Sequence, residues 1–529
     1  MGLITLIKRL SNSTKTSLLG KETTRLIRYS FVENDHESLP QDILDNAVAL
    51  HAGIKLVNST KHREQLVESL PLNTLQGLGF TGDHNEIYDK AVSLYKKNLT
   101  RFIDDFKIEK RYEKLKEVDD RKSIETPSPT YGQCNGTKAF PHPYQLRLKK
   151  ELVEIVLQPF NYNTNKSLVT MPTGAGKTVL AMETIIDLIR NYSSSKPLNI
   201  CWIVSKNELA EQSLESFKSL WIQKGDRKLV VQRYFGRFNK LNKTSIDSIT
   251  FSTFELLSPR LIRGEEDDMN FLKSLDYLFI DEAHFTGADE YSKIFEFYQT
   301  NNSNARIIGL TATPTRLKST SYNDFRLMFN HYLRLKDSEG KVVESPIRYL
   351  QERSYLSTIS FNVLNDSLED LVDKKEDMSG YYKTLHESVL RVCKQIIYKK
   401  ENTIIFAESK AHAIALCLFL RSNDVENELI VGDTPSPNRK KYLSRLGDPN
   451  ESLSIIVNEK ILATGIDVPG LNSIIVLSDI DSITSSLQIL GRAMRGPKNG
   501  GNKNNIVYLT KNNREKLENY NLLEIKALN

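Results

Sequence analysis

Two sets of short apolar runs, each run separated from the next by an amphipathic stretch, constrain this chain more than any other feature. The first set is Ser167–Met171, Ile200–Val204, Ser248–Phe251, Tyr277–Ile280 and Arg306–Leu310. The second is Thr403–Phe406, Glu428–Val431, Ser454–Val457, Ser473–Leu477 and Asn505–Leu509. Runs this short and uniformly apolar, alternating with helix-length amphipathic segments, suit strands of a parallel sheet buried on both faces. Each set makes one α/β unit, and the two stand in tandem. At roughly 150 residues per domain, a chain of 529 residues has room for one domain more.

The pattern over residues 41–118 makes that further domain helical. Ile43, Leu44, Ala47 and Val48 share one face, and Ile87, Ala91, Leu94, Tyr95, Leu99, Phe102 and Phe106 recur at spacings of three and four. The Gly-rich stretch Gln76–Asp83 separates the two helical blocks. The mixed-charge run Lys107–Lys122 reads as a solvated helix face. Pro127 and Pro129 then end any helix, and the chain divides accordingly. Residues 1–125 form a helical N-terminal domain, 126–137 a linker, 138–335 the first α/β domain, and 336–529 the second with its connecting segment. Residues 361–380, acidic and polar, read as a linker or inter-domain insertion.

Composition narrows the function classes. With 39% hydrophobic and 26% charged residues, the chain is neither disordered nor fibrous. No apolar run approaches the ~18 residues of a membrane span, so no membrane partner is expected. A net charge of +6 permits a nucleic-acid partner without requiring one. Cys134, Cys201, Cys393 and Cys417 contain no CxxC pair, which argues against a zinc site and suits a reducing compartment. In Met1–Ser30, six basic residues face the single acid Glu22, and the apolar run Gly2–Ile7 is too short for a secretory signal. A basic helix or arm on a cytoplasmic protein is the expectation, with a mitochondrial transit peptide as the minor alternative.

The chemistry begins at Met171-Pro172-Thr173-Gly174-Ala175-Gly176-Lys177-Thr178, between a strand and the helix-forming stretch Val179–Met182. A phosphate chain needs close backbone N–H groups, a helix N-terminus, a lysine charge and a hydroxyl for Mg2+. Gly174 and Gly176 supply the bends, with Thr173 and Ala175 in the same cradle; Lys177 supplies the charge and Thr178 the metal hydroxyl. The pattern G-x-x-x-x-G-K-[ST] has Met171 in place of its first glycine. Further on, an apolar strand ends in Asp281-Glu282-Ala283-His284. Asp281 there can hold Mg2+ and Glu282 can polarise an attacking water, whereas adjacent acids after a strand otherwise cap a helix.

Asp281-Glu282-Ala283-His284 spells the DEAH box, and residues 138–512 resemble superfamily 2 helicases and translocases, whose motifs occur here in order. Pro141–Gln145 is similar to the Q motif, Val204–Gln212 to motif Ia, Phe251–Phe254 to Ib and Gly309–Arg316 to III. Thr403–Ala407 stands in the place of motif IV, Ala463–Pro469 matches V, and Gln488–Arg495 matches VI. The resemblance implies two RecA-like domains with ATP and Mg2+ as cofactors. It implies that Gln145 reads adenine, that Gly465 and Asp467 face the nucleotide, and that Gln488, Arg492 and Arg495 join Asp281 and Glu282 in catalysis. His284, Thr311 and Thr313 would couple nucleotide state to movement. Ser205, Thr253 and Thr464 would contact the nucleic-acid backbone, unless their hydroxyls serve as helix caps or turns.

Within that superfamily the chain resembles RadD-type repair helicases and the motor subunits of type I and type III restriction enzymes. The residues behind this are Gly309–Pro314, Pro346–Leu356, and Gly432-Asp433-Thr434 with Arg439. DNA is therefore the expected partner, in repair or in defence against foreign DNA. Residues 1–125 could dock a protein partner such as a nuclease. Two alternatives stay open: an ATP-gated nucleic-acid clamp or sensor that recruits an effector, and an RNA helicase. Oligomeric state, polarity, and unwinding versus translocation are not legible.

Overall fold

Every run of both sets forms a strand, shifted by at most two residues at either end. The computed structural model describes residues 2–32, 38–109, 112, 121–129, 141–283, 289–312, 328–364, 377–446, 448, 450–459 and 471–520. The first sheet contains β1 (Ile124–Glu125), β2 (Lys166–Thr170), β3 (Asn199–Val204), β4 (Val230–Tyr234), β5 (Ser248–Thr253), β6 (Tyr277–Asp281), β7 (Arg306–Thr311) and β8 (His331–Leu333). Their order is β1-β4-β5-β3-β6-β7-β2-β8. All pairs are parallel except β1 with β4. The second sheet contains β9 (Thr358–Val363), β10 (Thr403–Phe406), β11 (Glu428–Ile430), β12 (Ile455–Asn458), β13 (Ser473–Val476) and β14 (Asn504–Leu509). It is parallel throughout, in the order β11-β12-β10-β13-β14-β9. The fold is α/β with two parallel-sheet units.

The contacts group the chain into two compact units. Asp120–Leu356 and Ser482–Asn499 form the first-sheet unit; Met1–Asp119, Ser357–Asp481 and Gly500–Leu523 form the second-sheet unit.

Within the first-sheet unit, β1 and β4 carry no apolar signature because a charge sits among them. Arg233 is fully buried on β4, where its Nη2 lies 2.7 Å from Glu211 and 2.9 Å from Glu215. Its Nη1 pairs with Glu125 of β1 and donates to the Lys122 carbonyl at 3.0 Å. A buried guanidinium is tolerated when its donors are matched this fully. The ion pairs, rather than apolar burial, thus fasten a two-residue strand to the sheet edge. Most of the charged run Lys107–Lys122 and the linker from residue 130 lie outside the described residues.

Within the second-sheet unit, helices occupy the described part of the 41–118 stretch from Gln41 to Phe106 and share a core with the sheet's own helices. Helix His84–Lys97 buries Ile87, Ala91 and Tyr95 at i, i+4 and i+8, while Leu94 is exposed. Asp83 and Asn98 cap successive helices by accepting from Glu86 N at 2.8 Å and Arg101 N at 3.0 Å. Helix Lys21–Phe31 packs against Met378–Tyr398 and Lys410–Ser422. Leu26, Ile27 and Leu56 belong to one hydrophobic cluster with Leu385, Val389 and Leu416. The early segment is helical, over Leu3–Ile7, Asn12–Leu19 and Lys21–Phe31, and Leu3, Leu6, Ile7, Leu10 and Leu19 lie in that cluster as well.

Two polar contacts lie inside this core. Lys15 Nζ meets Asp45 Oδ1 at 2.6 Å, both side chains almost fully buried. Ser30 Oγ lies 2.9 Å from His386 Nδ1, and His386 Nε2 lies 3.1 Å from His412 Nε2. Burial, then the neighbouring His412, holds the His386 pKa well below its usual 6.5.

Breaking the Lys15 pair by Asp45→Ala leaves an uncompensated buried ammonium and is expected to cost about 3–5 kcal/mol in denaturant unfolding. The paired change Lys15→Met with Asp45→Leu is expected to recover most of that loss. For His386 the unfolded chain takes up a proton near pH 6.5 and the folded one does not. The stability of this unit should therefore be unaffected above about pH 7.5 and fall below pH 6.5 by up to ~1.4 kcal/mol per pH unit. His386→Phe should flatten that slope in circular dichroism melts. Trp202 and Trp221, the two tryptophans of the chain, lie in the first-sheet unit and report separately by fluorescence.

Candidate functional site

A parallel strand ends where its crossover begins, so residues just past β2, β3, β5, β6 and β7 gather along one edge of the first sheet. β2 stops at Thr170 and helix Lys177–Asn191 begins six residues after Met171 starts the turn. Gly174 and Gly176 bend this loop with φ of +79° and +80°, a region costly for residues with a Cβ. A Cβ on Gly176 would also collide with Gln145 Nε2. Met171 departs from the phosphate-loop pattern for a structural reason. It is buried, and its N–H donates to Thr311 O at 3.1 Å, so it extends β2 rather than bending it.

Helix Pro143–Leu157 braces the loop from below. Gln145 Nε2 donates to Ala175 O at 3.0 Å while its Oε1 accepts from His142 N at 2.7 Å. Tyr144 Oη donates to the same Ala175 carbonyl at 2.9 Å. Both ends of the Gln145 amide are thus engaged by the chain, and reading a base would require it to exchange these partners.

β6 carries Asp281 and Glu282 to the loop. Thr178 Oγ1 donates to Asp281 Oδ2 at 3.3 Å, and Lys177 Nζ lies 3.7 Å from Glu282 Oε1. Glu282 has a φ of +51°, and its N–H donates to Asp281 Oδ1 at 3.0 Å. A non-glycine residue held in that region costs of order 1–3 kcal/mol and is characteristic of functional turns. Burial, then the charge of Glu282, pushes the Asp281 pKa up to about 6, against the pull of Lys177, the Glu282 N–H and Thr178. Asp281 is thus a buried carboxylate whose ionised form is not fully compensated, next to a hydroxyl. That donor set fits Mg2+, which takes one or two protein oxygens and completes its shell with water and phosphate. Among the described residues no cluster of three or more His, Cys, Asp or Glu could hold a metal by itself.

Thr311 is fully buried at the end of β7, its carbonyl tied to the glycine loop. Thr253 is fully buried at the end of β5, opposite Val204, which precedes the half-buried Ser205. Thr253 stands at the N-cap of helix Phe254–Ile262 without donating or accepting a capping bond, and its Oγ1 has no hydrogen-bond partner among the described residues. His284, Thr313, Thr464, Gly465 and Asp467 lie outside the described residues.

Helix Ile483–Arg492 carries Gln488 and Arg492, both half-buried, and its Ser482 cap accepts from Ser485 N at 3.1 Å. Its C-terminal end meets the glycine loop: a Cβ on Gly491 would lie 2.8 Å from Thr173 Cβ. Arg495 follows in an isolated antiparallel bridge with Leu356. The structure therefore brings together the loop, Asp281, Glu282, Thr311 and the backbone of Gly491. Sequence reading missed His142, Tyr144, Tyr355, Gly491 and Asn499. Gly491 could have been found as the glycine of the Q-x-x-G-R-x-x-R pattern; Asn499 has no local signal, because its partner His142 is 357 residues away.

Comparison with known proteins agrees with this geometry. Residues 140–316 match the family model of the type III restriction enzyme res subunit, and residues 388–497 match that of the helicase conserved C-terminal domain. The chain is 21% identical over 362 residues to the putative ATP-dependent helicase IRC3 of Saccharomyces cerevisiae, covering 66% of this chain and 49% of that protein. It is 24% identical over 392 residues to the type I restriction enzyme EcoAI endonuclease subunit of Escherichia coli, covering 68% and 45%. A solved structure of the DEAD-box helicase Mss116 bound to ssRNA and UDP-BeF superposes with a TM-score of 0.51 at 17% identity, over 73% of this chain and 74% of that one. In both matched stretches the chain is similar to superfamily 2 helicases and translocases. Within that superfamily, the chain is similar to the motor subunits of restriction enzymes, and it spans about half the length of the curated relatives named here.

Gly176→Ala adds both left-handed strain and a clash with Gln145, so it should weaken nucleotide binding at least tenfold in a fluorescent-nucleotide titration. Its cost in stability should stay near 1–2 kcal/mol.

Proposed function

We propose that the protein is an ATP-hydrolysing motor that moves on DNA, as a helicase or a double-strand translocase. The observation that carries this reading is the meeting of Lys177, Thr178, Asp281 and Glu282 at one sheet edge, with Gly491 of the arginine-bearing segment laid on the same loop. Lys177 and the N-terminus of its helix attract the triphosphate. A phosphate drawn to Lys177 competes with Glu282 for that ammonium and returns the carboxylate to water, where it orients the nucleophile. Thr178 and Asp281 would hold Mg2+, which would supply charge neutralisation to the triphosphate. Arg492 and Arg495 complement the charge that develops on the transferred phosphoryl, a contribution worth roughly 10³–10⁵ in rate in such enzymes. Thr311, hydrogen-bonded to the loop, carries the change at the γ-phosphate into β7.

DNA is favoured over RNA by the relatives: the type I restriction subunit, and ATP-dependent DNA helicase mph1 of Neurospora crassa, 29% identical over 151 residues. Thr253, with its unpartnered buried hydroxyl, and Ser205 beside it are the backbone contacts of this reading. Repair or defence against foreign DNA is the setting that suits those relatives, with a protein partner docking on the helical residues 1–125. A reducing cytoplasm suits the buried free thiols of Cys201, Cys393 and Cys417. RNA remodelling is the second reading, favoured by the fold it shares with the RNA-bound Mss116 structure.

Steady-state ATP turnover without nucleic acid, and with single-stranded DNA, duplex DNA or structured RNA, tests this. At least tenfold stimulation by DNA is expected, lost in Lys177→Ala. Glu282→Gln should keep ATP binding and lose roughly 10²–10⁴ in kcat. Stimulation by RNA alone would replace the DNA reading with the second one.

A further inference from the structure

Arg495 is held by a short chain of contacts that its own motif does not contain. Its Nε donates to the main-chain carbonyl of Asn499, four residues on. The Asn499 side chain is fixed at both ends. Nδ2 donates to Tyr355 O at 2.9 Å, and Oδ1 lies 2.6 Å from His142 Nε2. A main-chain carbonyl can only accept, so the amide nitrogen faces Tyr355, the amide oxygen faces His142, and His142 must present an Nε2–H. The ring of His142 packs on Tyr355 at a centroid distance of 4.7 Å and on Tyr144 at 5.7 Å. Gly496 N donates to Tyr355 O at 3.2 Å and Lys498 N to Ser354 O at 3.1 Å. A Cβ on Gly496 would approach Tyr355 C to 2.6 Å, so the two segments are as close as backbones allow.

We infer that Asn499 is a positioning residue for Arg495, locked in turn by His142 at the head of the Gln145 helix. The inference rests on the ATPase reading above. It makes one hydrogen-bonded path from the nucleotide loop to the arginine: Ala175 O to Gln145, Gln145 to His142 N, His142 to Asn499, and Asn499 O to Arg495. The path gives His142 and Asn499 a role in the chemical step rather than in nucleotide capture. A guanidinium released from its anchor still carries its charge but no longer holds it where charge develops.

The experiment compares wild type, Arg495→Ala, Asn499→Ala, His142→Phe and His142→Gln for kcat, KM and melting temperature, with nucleotide affinity measured separately. Asn499→Ala should lower kcat about ten- to a hundredfold, with KM and nucleotide affinity within about twofold. His142→Phe keeps the ring on Tyr355 and loses the donor, so it should fall with Asn499→Ala; His142→Gln keeps a donor and should recover part of the loss. Should Asn499→Ala not fold, the two His142 variants carry the test. A wild type that hydrolyses ATP through Arg495, beside Asn499 and His142 variants of unchanged kcat, overturns this inference alone. Changes confined to KM or to melting temperature overturn it too. A wild type silent with every nucleic acid overturns both it and the ATPase reading.

Discussion

The parallel ladder of β6, β7 and β2 is the constraint on which the site depends. Leu168 pairs with Gly309, and Ile308 with Phe279, so three strands run in one direction and release their turns at one edge. The nucleotide loop, the paired acids and Thr311 meet there because of topology, before any side chain is chosen. Gly309 makes the close spacing feasible: a Cβ on it would clash with Phe329 and lie 2.9 Å from Ala283 Cβ. Ala283, the residue after Glu282, is thereby seated against the middle strand, and Glu282 inherits that rigidity.

Buried charge is handled in two contrasting ways. Arg233 spends its donors on three carboxylates and a carbonyl, and its role ends in fastening a strand. Asp281 is buried as well but has, among the described residues, a threonine hydroxyl, a backbone N–H and a more distant ammonium to offset its charge. The first arrangement is complete and the second is incomplete. Incomplete compensation in a buried ion is what distinguishes a binding site from a structural clamp.

The ten strands that match the apolar runs, and the glycine loop, were legible because each depends on local pattern: apolar runs of strand length, glycines where φ is positive, and a lysine and threonine at a helix start. β4 was illegible because Gln232 and Arg233 interrupt its apolar run, although both are buried. β9 was illegible because it alternates between exposed and half-buried positions, which reads as loop. Which elements the N-terminal helices pack on is illegible for a deeper reason. Leu26 and Ile27 look the same in sequence whether they pack on helices of their own segment or on Val389 and Leu416, more than three hundred residues away. Asn499 and His142 escaped for the same cause: their meaning lies wholly in a pairing between distant parts of the chain.

The shared core has a mechanical consequence. Helix Lys21–Phe31 meets helices Met378–Tyr398 and Lys410–Ser422 through packed apolar side chains and a buried serine–histidine contact. Close-packed interiors transmit displacement with little give. Any displacement of the second sheet therefore carries the packed N-terminal helices with it, as a lever arm bolted to its axle.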